Sequence, residues 1–288
     1  MPNAWIQGAR PRTLPAAVVP VLIGAACAAG QPSAVWWRAA CALVVSLALQ
    51  VGVNYANDYS DGIRGTDDVR VGPMRLVGSG AATPAAVKRA AFIAFGVAAV
   101  AGLIAAAATS WWLLVVGAAA LLAGWFYTGG PKPYGYMGLG ELFVFVFFGL
   151  VATAGTTFIV TKRISRDSVV MGIAAGALAC ALLVINNLRD ILTDRDVGKN
   201  TLAVRLGDQR TRWFYVALLI LGFAMVIVVG VDRPWVLLAL GSVPLAVIPI
   251  RAVLAGAKGP ALIAVLGATG KLQMGFGVLA AAGLILGR

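Results

Sequence analysis

Histidine is absent from the 288-residue sequence, and charged residues make up only 12% of it. The absence of imidazole excludes the usual general base and the usual protein ligand of haem and zinc. Soluble chains carry about 25% charged residues, so the low charge also excludes an ordinary globular domain. Hydrophobic residues reach 60%, and the mean hydropathy is +0.90. Because no soluble core could bury so much apolar surface, we predict a polytopic membrane protein.

Cysteine is scarce as well. Cys27, Cys41 and Cys180 all lie inside apolar stretches, and their spacing fits neither a disulfide framework nor a metal site. We interpret them as small buried hydrophobic residues. With neither His nor Cys available, any metal ion must be bound through oxygen atoms.

Long apolar runs are abundant. A helix that crosses a bilayer needs about 20 apolar residues, and nine segments approach this length, near 14–30, 36–56, 88–108, 111–128, 140–161, 168–188, 212–231, 234–250 and 267–287. We therefore expect an all-α bundle of nine transmembrane helices, forming one domain over residues 1–288. Lys271 and Gln273 lie near the start of the last segment, so 257–268 could instead form a short interfacial helix.

The net charge of +12 could suggest a nucleic-acid partner, but the basic residues lie in loops between apolar segments. With the N-terminus inside, 17 of the 23 Lys and Arg residues fall on the cytoplasmic side. The positive-inside rule favours this orientation, although the cluster 162–166 runs against it. Eight of the eleven acids also fall in two of the cytoplasmic loops.

Two acidic clusters end apolar segments at matching places in the two halves of the chain. The first set is Asn54, Asp58 and Asp61, and the second is Asn186, Asp190 and Asp194. The spacings are i, i+4, i+7 and i, i+4, i+8, so on a helix each set faces one way. Asn54 and Asn186 are 132 residues apart, and so are Asp58 and Asp190. Simple loop salt bridges would not require such a duplicated arrangement.

Carboxylates brought together at a membrane surface repel each other unless a cation lies between them. The oxygen ligands favour Mg²⁺, which one or two carboxylates hold while the phosphates of a substrate complete its coordination. Basic residues of the same loops could bind the remaining phosphate charge, and they are Arg64, Arg70, Arg75, Arg189, Arg195 and Lys199. The two clusters therefore predict metal ions that clamp one diphosphate.

A diphosphate at the mouth of a membrane bundle implies a lipid tail inside it, since each buried methylene contributes roughly 0.8 kcal/mol. Loss of diphosphate from an allylic carbon leaves a carbocation, which aromatic faces stabilise. The candidate aromatic residues are Trp125, Phe126, Tyr127, Tyr134, Tyr136, Phe143, Phe145, Phe147 and Phe148.

Four stretches together resemble the UbiA superfamily of intramembrane aromatic prenyltransferases. They are Arg10-Pro-Arg-Thr13-Leu14, residues 54–61 followed by 72–80, residues 127–141, and residues 186–207. The chain most resembles the 1,4-dihydroxy-2-naphthoate polyprenyltransferase branch, of menaquinone biosynthesis. The resemblance implies a UbiA-type bundle with cytoplasmic cap loops, in a bacterial cell membrane, with the active site facing the cytoplasm. It also implies Mg²⁺-dependent transfer from a polyprenyl diphosphate to the naphthoate with decarboxylation, giving demethylmenaquinone.

The resemblance also implies roles for individual residues. Asp58 and Asp61 would hold one Mg²⁺, and Asp190 and Asp194 the other. The substrate-binding residues would be Asn54, Asn57, Arg64, Arg70, Arg75, Lys132, Tyr136, Glu141, Asn186, Asn187, Arg189 and Lys199. The last aspartate of the first superfamily motif is replaced by Gly65, so either Asp67 or Asp68 could supply that ligand.

Two alternatives stay open. A sister prenyltransferase would act on another acceptor, such as 4-hydroxybenzoate. An ion-coupled transporter would also carry acids in duplicated halves, but these normally lie near the bilayer midplane rather than at helix ends.

Overall fold

The computed structural model describes residues 3–66, 72 and 74–288, and within these ranges all regular elements are helical. The helices are α1 (Ala4–Gly8), α2 (Pro15–Cys27), α3 (Trp37–Ile63), α4 (Pro84–Thr109), α5 (Leu113–Phe126), α6 (Gly140–Thr161), α7 (Arg166–Asp196), α8 (Leu202–Leu206), α9 (Asp208–Gly230), α10 (Pro234–Leu254) and α11 (Ala261–Leu286). Short 3₁₀ turns at Pro11–Thr13 and Tyr134–Met137 lead into α2 and α6.

Seven of the described helices are long and apolar enough to cross a membrane, namely α3, α4, α6, α7, α9, α10 and α11. The all-helical membrane architecture predicted from the sequence is therefore confirmed. Each of the nine predicted segments coincides with a helix, but α2 and α5 have only 13 and 14 residues. Because α11 runs without a break from Ala261, an interfacial helix over 257–268 is not formed.

Helix α7 is the centre of the bundle. In its most apolar stretch of 18 residues, 78% of the residues are buried inside the protein. The corresponding share in the six other long helices is 33–50%. Its middle is rich in small residues, among them Gly172, Gly176 and Ala177, which let neighbouring backbones approach closely. Helices α2, α6, α9 and α11 all pack against it. A continuous apolar core therefore surrounds α7.

A π-helical segment, Phe145–Val151, interrupts α6 where it crosses α7. At this crossing a Cβ on Gly149 would lie only 2.5 Å from the Cα of Gly176, so the two backbones are in direct contact. The wider π turn changes the direction of the following side chains, and such segments are frequent at functional sites.

The first half of the bundle is packed less densely. Helix α3 lies along α4, and the buried cluster between them is small, with Ala56, Ala91 and Phe95 at its centre. Space therefore remains between α3 and the densely packed second half, and it forms the main cavity of the molecule.

Candidate active site

A cavity of about 740 Å³ opens between the two halves of the bundle. Along α3 it extends from Asn57 to Ala42, a distance of about 22 Å at 1.5 Å per residue. Polar side chains line one end, among them Asn54, Asn57, Arg75, Asn186 and Arg189. The rest of the wall is mainly apolar. The cavity therefore suits an amphiphile with a charged head and a long hydrocarbon tail.

Four aromatic rings form a continuous wall of this cavity. Tyr127 meets Tyr134 edge-on with ring centres 5.5 Å apart, and Tyr134 stacks on Phe143 at 4.0 Å. Phe143 in turn stacks with Phe147 at 6.2 Å, inside the π segment of α6. Their faces can stabilise a positive charge on a substrate carbon.

The two aspartate motifs converge on one lysine. The Nζ of Lys199 lies 3.6 Å from Oδ2 of Asp61 and 3.7 Å from Oδ1 of Asp194. The two carboxylate oxygens are thus no farther apart than the sum of these distances. Asp61 lies in the last turn of α3, and Asp194 lies in the last turn of α7. Carboxylates from the two halves of the chain therefore meet at one end of the bundle.

Tyr136 holds this meeting point from the loop before α6. Its hydroxyl donates to Oδ1 of Asp61 at 2.7 Å, and its ring centre lies 5.1 Å from Nζ of Lys199. Arg64 lies over the same ring at 5.3 Å and donates to the carbonyl oxygens of Thr128 and Gly130. Burial and the neighbouring Asp61 raise the pKa of Tyr136, so it stays protonated and donates to the carboxylate.

Asp58 is completely buried and holds the returning loop. Its Oδ2 accepts from the backbone N–H of Leu76 at 2.8 Å, and its Oδ1 accepts from that of Val77 at 3.0 Å. These bonds fix the position of Arg75, the preceding residue, which lines the cavity. Each carboxylate oxygen has a second lone pair with which it can bind another group.

Asp190 and Asn186 are joined by Arg189. The guanidinium forks onto Asp190 with two bonds of 2.7 Å, from Nε and from Nη2, and Nη2 also donates to Oδ1 of Asn186 at 2.8 Å. Both Arg189 and Asp190 are buried. A bidentate pair of this kind fixes the position of the guanidinium, and it holds Arg189 at the polar end of the cavity.

Amide side chains connect the site to its surroundings. Asn54 donates through Nδ2 to the carbonyl of Ala9 at 2.9 Å and to Oγ1 of Thr13 at 3.3 Å. Asn57 accepts a 2.7 Å bond from the hydroxyl of Thr128. The N-terminal turn and the loop before α6 are thereby tied to the first aspartate motif.

Six predicted substrate-binding residues lie apart from the cavity wall in the described part of the chain. Three of them, Arg64, Tyr136 and Lys199, surround Asp61 as described above. Asn187 donates to Oε1 of Glu141 at 2.9 Å, and both side chains are buried between α6 and α7. The other oxygen of Glu141 is buried without a hydrogen-bond partner among the described residues. Lys132 is exposed.

Asp67, Asp68 and Arg70 lie outside the described residues. Within the described ranges no three His, Cys, Asp or Glu side chains come close enough to form a complete metal site.

Sequence reasoning did not place Arg10, Thr13 and Gln50 in the site, yet all three line the cavity. The signal for the first two was present, since both belong to the stretch before α2 that resembles a family motif. Gln50 lies one helical turn before Asn54 on the same face of α3, and this spacing could have identified it.

The sequence profile of the UbiA prenyltransferase family matches residues 17–260. The chain belongs to this family. The resemblance drawn from the four motif stretches is thereby confirmed.

Curated relatives of this UbiA prenyltransferase share a name. The chain is 50% identical over 284 residues to 1,4-dihydroxy-2-naphthoate octaprenyltransferase of Mycobacterium tuberculosis, covering 99% of this chain and 97% of the relative. The Escherichia coli protein of the same name is 36% identical over 231 residues, with 75% of this chain and 73% of that protein covered.

Solved structures of distant UbiA proteins have the same fold. A UbiA homologue from Aeropyrum pernix superposes with a TM-score of 0.67 at 17% identity, covering 99% of each chain. A UbiA homologue from Archaeoglobus fulgidus, solved bound to DMAPP and Mg²⁺, gives 0.63 at 16% identity, with 97% of this chain and 99% of that chain covered.

Proposed function

We propose that this UbiA prenyltransferase transfers a polyprenyl group from a polyprenyl diphosphate to 1,4-dihydroxy-2-naphthoate. The acceptor loses its carboxyl group as CO₂, and the products are demethylmenaquinone and diphosphate. Relatives that match nearly the whole chain and bear this enzyme's name support the assignment. The structural observation that carries it is the meeting of Asp61 and Asp194 at Lys199. Asp61 lies one helical turn beyond Asn57, which lines the polar end of the long apolar cavity.

The donor atoms at this meeting point fit Mg²⁺. They are carboxylate oxygens, the ligands that hard cations prefer. The ammonium of Lys199 lies between them, so a positive charge is already accommodated there. We propose that Asp61 and Asp194 hold Mg²⁺, with Asp58, Asp190 and Asp67 as further ligands. When bound, the ion neutralises diphosphate charge and so makes the diphosphate a better leaving group.

Basic side chains around the same point would bind the diphosphate. Lys199 and Arg64 both lie against the ring of Tyr136. Arg75 and Arg189 line the cavity. Arg70 is proposed with this group because it belongs to the same loop as Arg75. A guanidinium can bind phosphate oxygens through two parallel bonds, so these residues would hold the leaving group as the carbon–oxygen bond breaks.

The prenyl chain would occupy the apolar part of the cavity. Burying its methylenes draws the tail into the bundle, while the charged head stays with the aspartates. The first carbon of the chain would then lie near the rings of Tyr134 and Phe143, which face the cavity. These rings would stabilise the allylic cation and exclude water, so that the acceptor ring rather than water attacks it.

We further propose that the site faces the cytoplasm of a bacterial cell. The positive-inside pattern of the loops supports this orientation. Ion-coupled transport is less consistent with the structure, since Asp61 and Asp194 lie on the last turns of α3 and α7 rather than at midspan.

Product analysis tests the assignment. Purified protein would be incubated with Mg²⁺, one polyprenyl diphosphate and either 1,4-dihydroxy-2-naphthoate or 4-hydroxybenzoate, and the products would be identified by mass spectrometry. We expect prenylated product from the naphthoate only, with the mass that loss of CO₂ requires. Product from 4-hydroxybenzoate alone would instead identify a sister prenyltransferase, and no product from either would contradict the proposed function.

A further inference from the structure

The stretch Arg10-Pro-Arg-Thr13 forms one wall of the cavity and has no part in the diphosphate site described above. Arg10 is half-buried there, and its Nη2 donates a long bond of 3.5 Å to the backbone oxygen of Asn54. Within the described residues Arg10 has no ion pair, whereas the cavity-lining Arg189 is paired with Asp190. A guanidinium beside an apolar cavity, without a carboxylate, is a site for an anion.

The turn that presents Arg10 is held in a strained conformation. Arg10 has φ 54° and ψ 69°, in the left-handed region that non-glycine residues rarely adopt, and a proline follows it. Its carbonyl oxygen accepts from both the backbone N–H and the hydroxyl of Thr13, each at 2.9 Å. Strain of this kind persists when surrounding contacts enforce it, and it is concentrated at binding sites.

Buried amides of α3 supply those contacts. The hydroxyl oxygen of Thr13 accepts from Nε2 of Gln50 at 3.0 Å and from Nδ2 of Asn54 at 3.3 Å. Asn54 thereby uses both of its amide hydrogens, so its carbonyl oxygen is what it can offer a ligand in the cavity. The result is a prearranged pair, a guanidinium for an anion and an amide oxygen for a hydroxyl.

The distance from this pair to the aspartates is close to the length of an aromatic acceptor. Asn54 and Asp61 are seven residues apart on α3, or about 10 Å along the helix axis. Two fused rings with a carboxyl group span a comparable length. One end of such a molecule would contact Arg10 while its ring reached the first carbon of the prenyl donor.

We propose that Arg10 binds the carboxylate of the aromatic acceptor and that Thr13 positions Arg10 for this task. This inference rests on the proposed function and adds the residue that recognises the acid group of its acceptor. Arg12, on the same turn, also lines the cavity but is exposed, and no hydrogen bond among the described residues anchors it to α3.

The test compares Arg10→Gln, Arg10→Lys and Thr13→Val with the parent protein, using the exposed Arg210→Gln as a matched control. KM is measured separately for the acceptor and for the prenyl donor. A charge-assisted bond to a carboxylate is worth about 10- to 100-fold in affinity. We therefore expect Arg10→Gln to raise the acceptor KM by about that factor and to change the donor KM less than twofold. Arg10→Lys should recover part of the loss, and Thr13→Val should fall between.

A second acceptor separates charge recognition from a general loss of shape. With 1,4-dihydroxynaphthalene, which lacks the carboxylate, Arg10→Gln and the parent should have the same KM. Binding of 1-hydroxy-2-naphthoate, followed by its fluorescence without any donor present, should weaken in Arg10→Gln and not in Arg210→Gln. Thermal unfolding of each variant in detergent shows that it is folded.

Two results would contradict the role proposed for Arg10. A rise in donor KM in Arg10→Gln would place Arg10 at the diphosphate, and an unchanged acceptor KM would leave it without a binding role. Either outcome overturns this inference while the parent still makes product. Failure of the parent to prenylate the naphthoate would instead overturn the proposed function, and the fluorescence measurement would still decide whether Arg10 binds the acid.

Discussion

At the scale of single residues, the charge balance around Lys199 determines what the site can bind. Its ammonium nitrogen lies 3.6 and 3.7 Å from carboxylates of the two halves. Two anions held this close would repel each other without a cation between them. A divalent ion can supply the positive charge that Lys199 now places between the two carboxylates, and it can bind diphosphate at the same time. Substitutions of Asp61 and Asp194 test whether they hold such an ion.

Replacing Asp61 or Asp194 by Asn removes one negative charge with almost no change in shape. We expect each change to lower kcat by at least ~100-fold, as removal of a group from a preorganised electrostatic site does. Steady-state rates with a fixed donor concentration measure this. Asp232→Asn is the matched control, because Asp232 is exposed and pairs with Arg166 at the opposite end of α7. If both site variants stay within tenfold of the parent, the metal site is elsewhere.

Tyr136 contributes through its hydroxyl and its ring separately. Tyr136→Phe removes the 2.7 Å bond to Asp61 and keeps the ring under Lys199 and Arg64. A hydrogen bond to a charged group contributes about 1.5–3 kcal/mol, so we expect kcat to fall by about tenfold or more. Tyr136→Leu removes the ring as well and should lower kcat further. Equal activity of the Phe variant and the parent, measured in the same assay, would show that Asp61 needs no support from Tyr136.

At the scale of helices, the crossing of α6 and α7 sets the shape of the cavity. The backbones touch at Gly149 and Gly176, and the π segment there carries Phe147 and Phe148 into the cavity wall. A side chain at this crossing would push the two helices apart, because the atoms it meets belong to the backbone and cannot rotate away.

Gly149→Ala should therefore destabilise the protein. Its Cβ would lie 2.5 Å from the Cα of Gly176 and 2.7 Å from the carbonyl oxygen of Gly172. Overpacking costs typically 1–3 kcal/mol, and we expect a lower Tm in detergent. Gly267→Ala is the control, since a Cβ there meets nothing within 4 Å and alanine favours the helix. A Tm for Gly149→Ala equal to that of the control would mean that the crossing is looser than described.

At the scale of the whole molecule, the active site exists only where the two halves of the bundle meet. α3 supplies Asp61, α7 supplies Asp194, and the loop between α5 and α6 supplies Tyr136. We therefore expect activity to require the complete bundle and, by the proposed mechanism, a divalent cation, but no membrane gradient.

Removing divalent ions should abolish activity without unfolding the bundle. We expect EDTA to stop prenyl transfer by protein purified in detergent and added Mg²⁺ to restore it, because the aspartates and the diphosphate are all negative and repel each other without a divalent cation between them. Circular dichroism recorded in parallel should show unchanged helix content. Full activity in EDTA would contradict the metal assignment, and a requirement for sealed vesicles with an ion gradient would favour transport.

Apolar length, low charge and local spacing were enough to predict the membrane architecture and to locate the acidic motifs. Apolar length and low charge define bilayer-spanning segments, since the bilayer imposes a minimum length on every helix that crosses it. The spacing of Asn54, Asp58 and Asp61 indicated a common helix face for a similarly local reason, the 3.6-residue period of the α-helix.

The packing of the helices was needed to show which of those acids meet and which residues surround them. Local spacing does not reveal that Lys199 lies between Asp61 and Asp194, or that Asp58 holds the backbone of residues 76 and 77. These contacts join segments whose separation in the chain carries no information about distance in space. They follow from the packing of both halves around α7, which also brings Arg10 to the wall of the cavity.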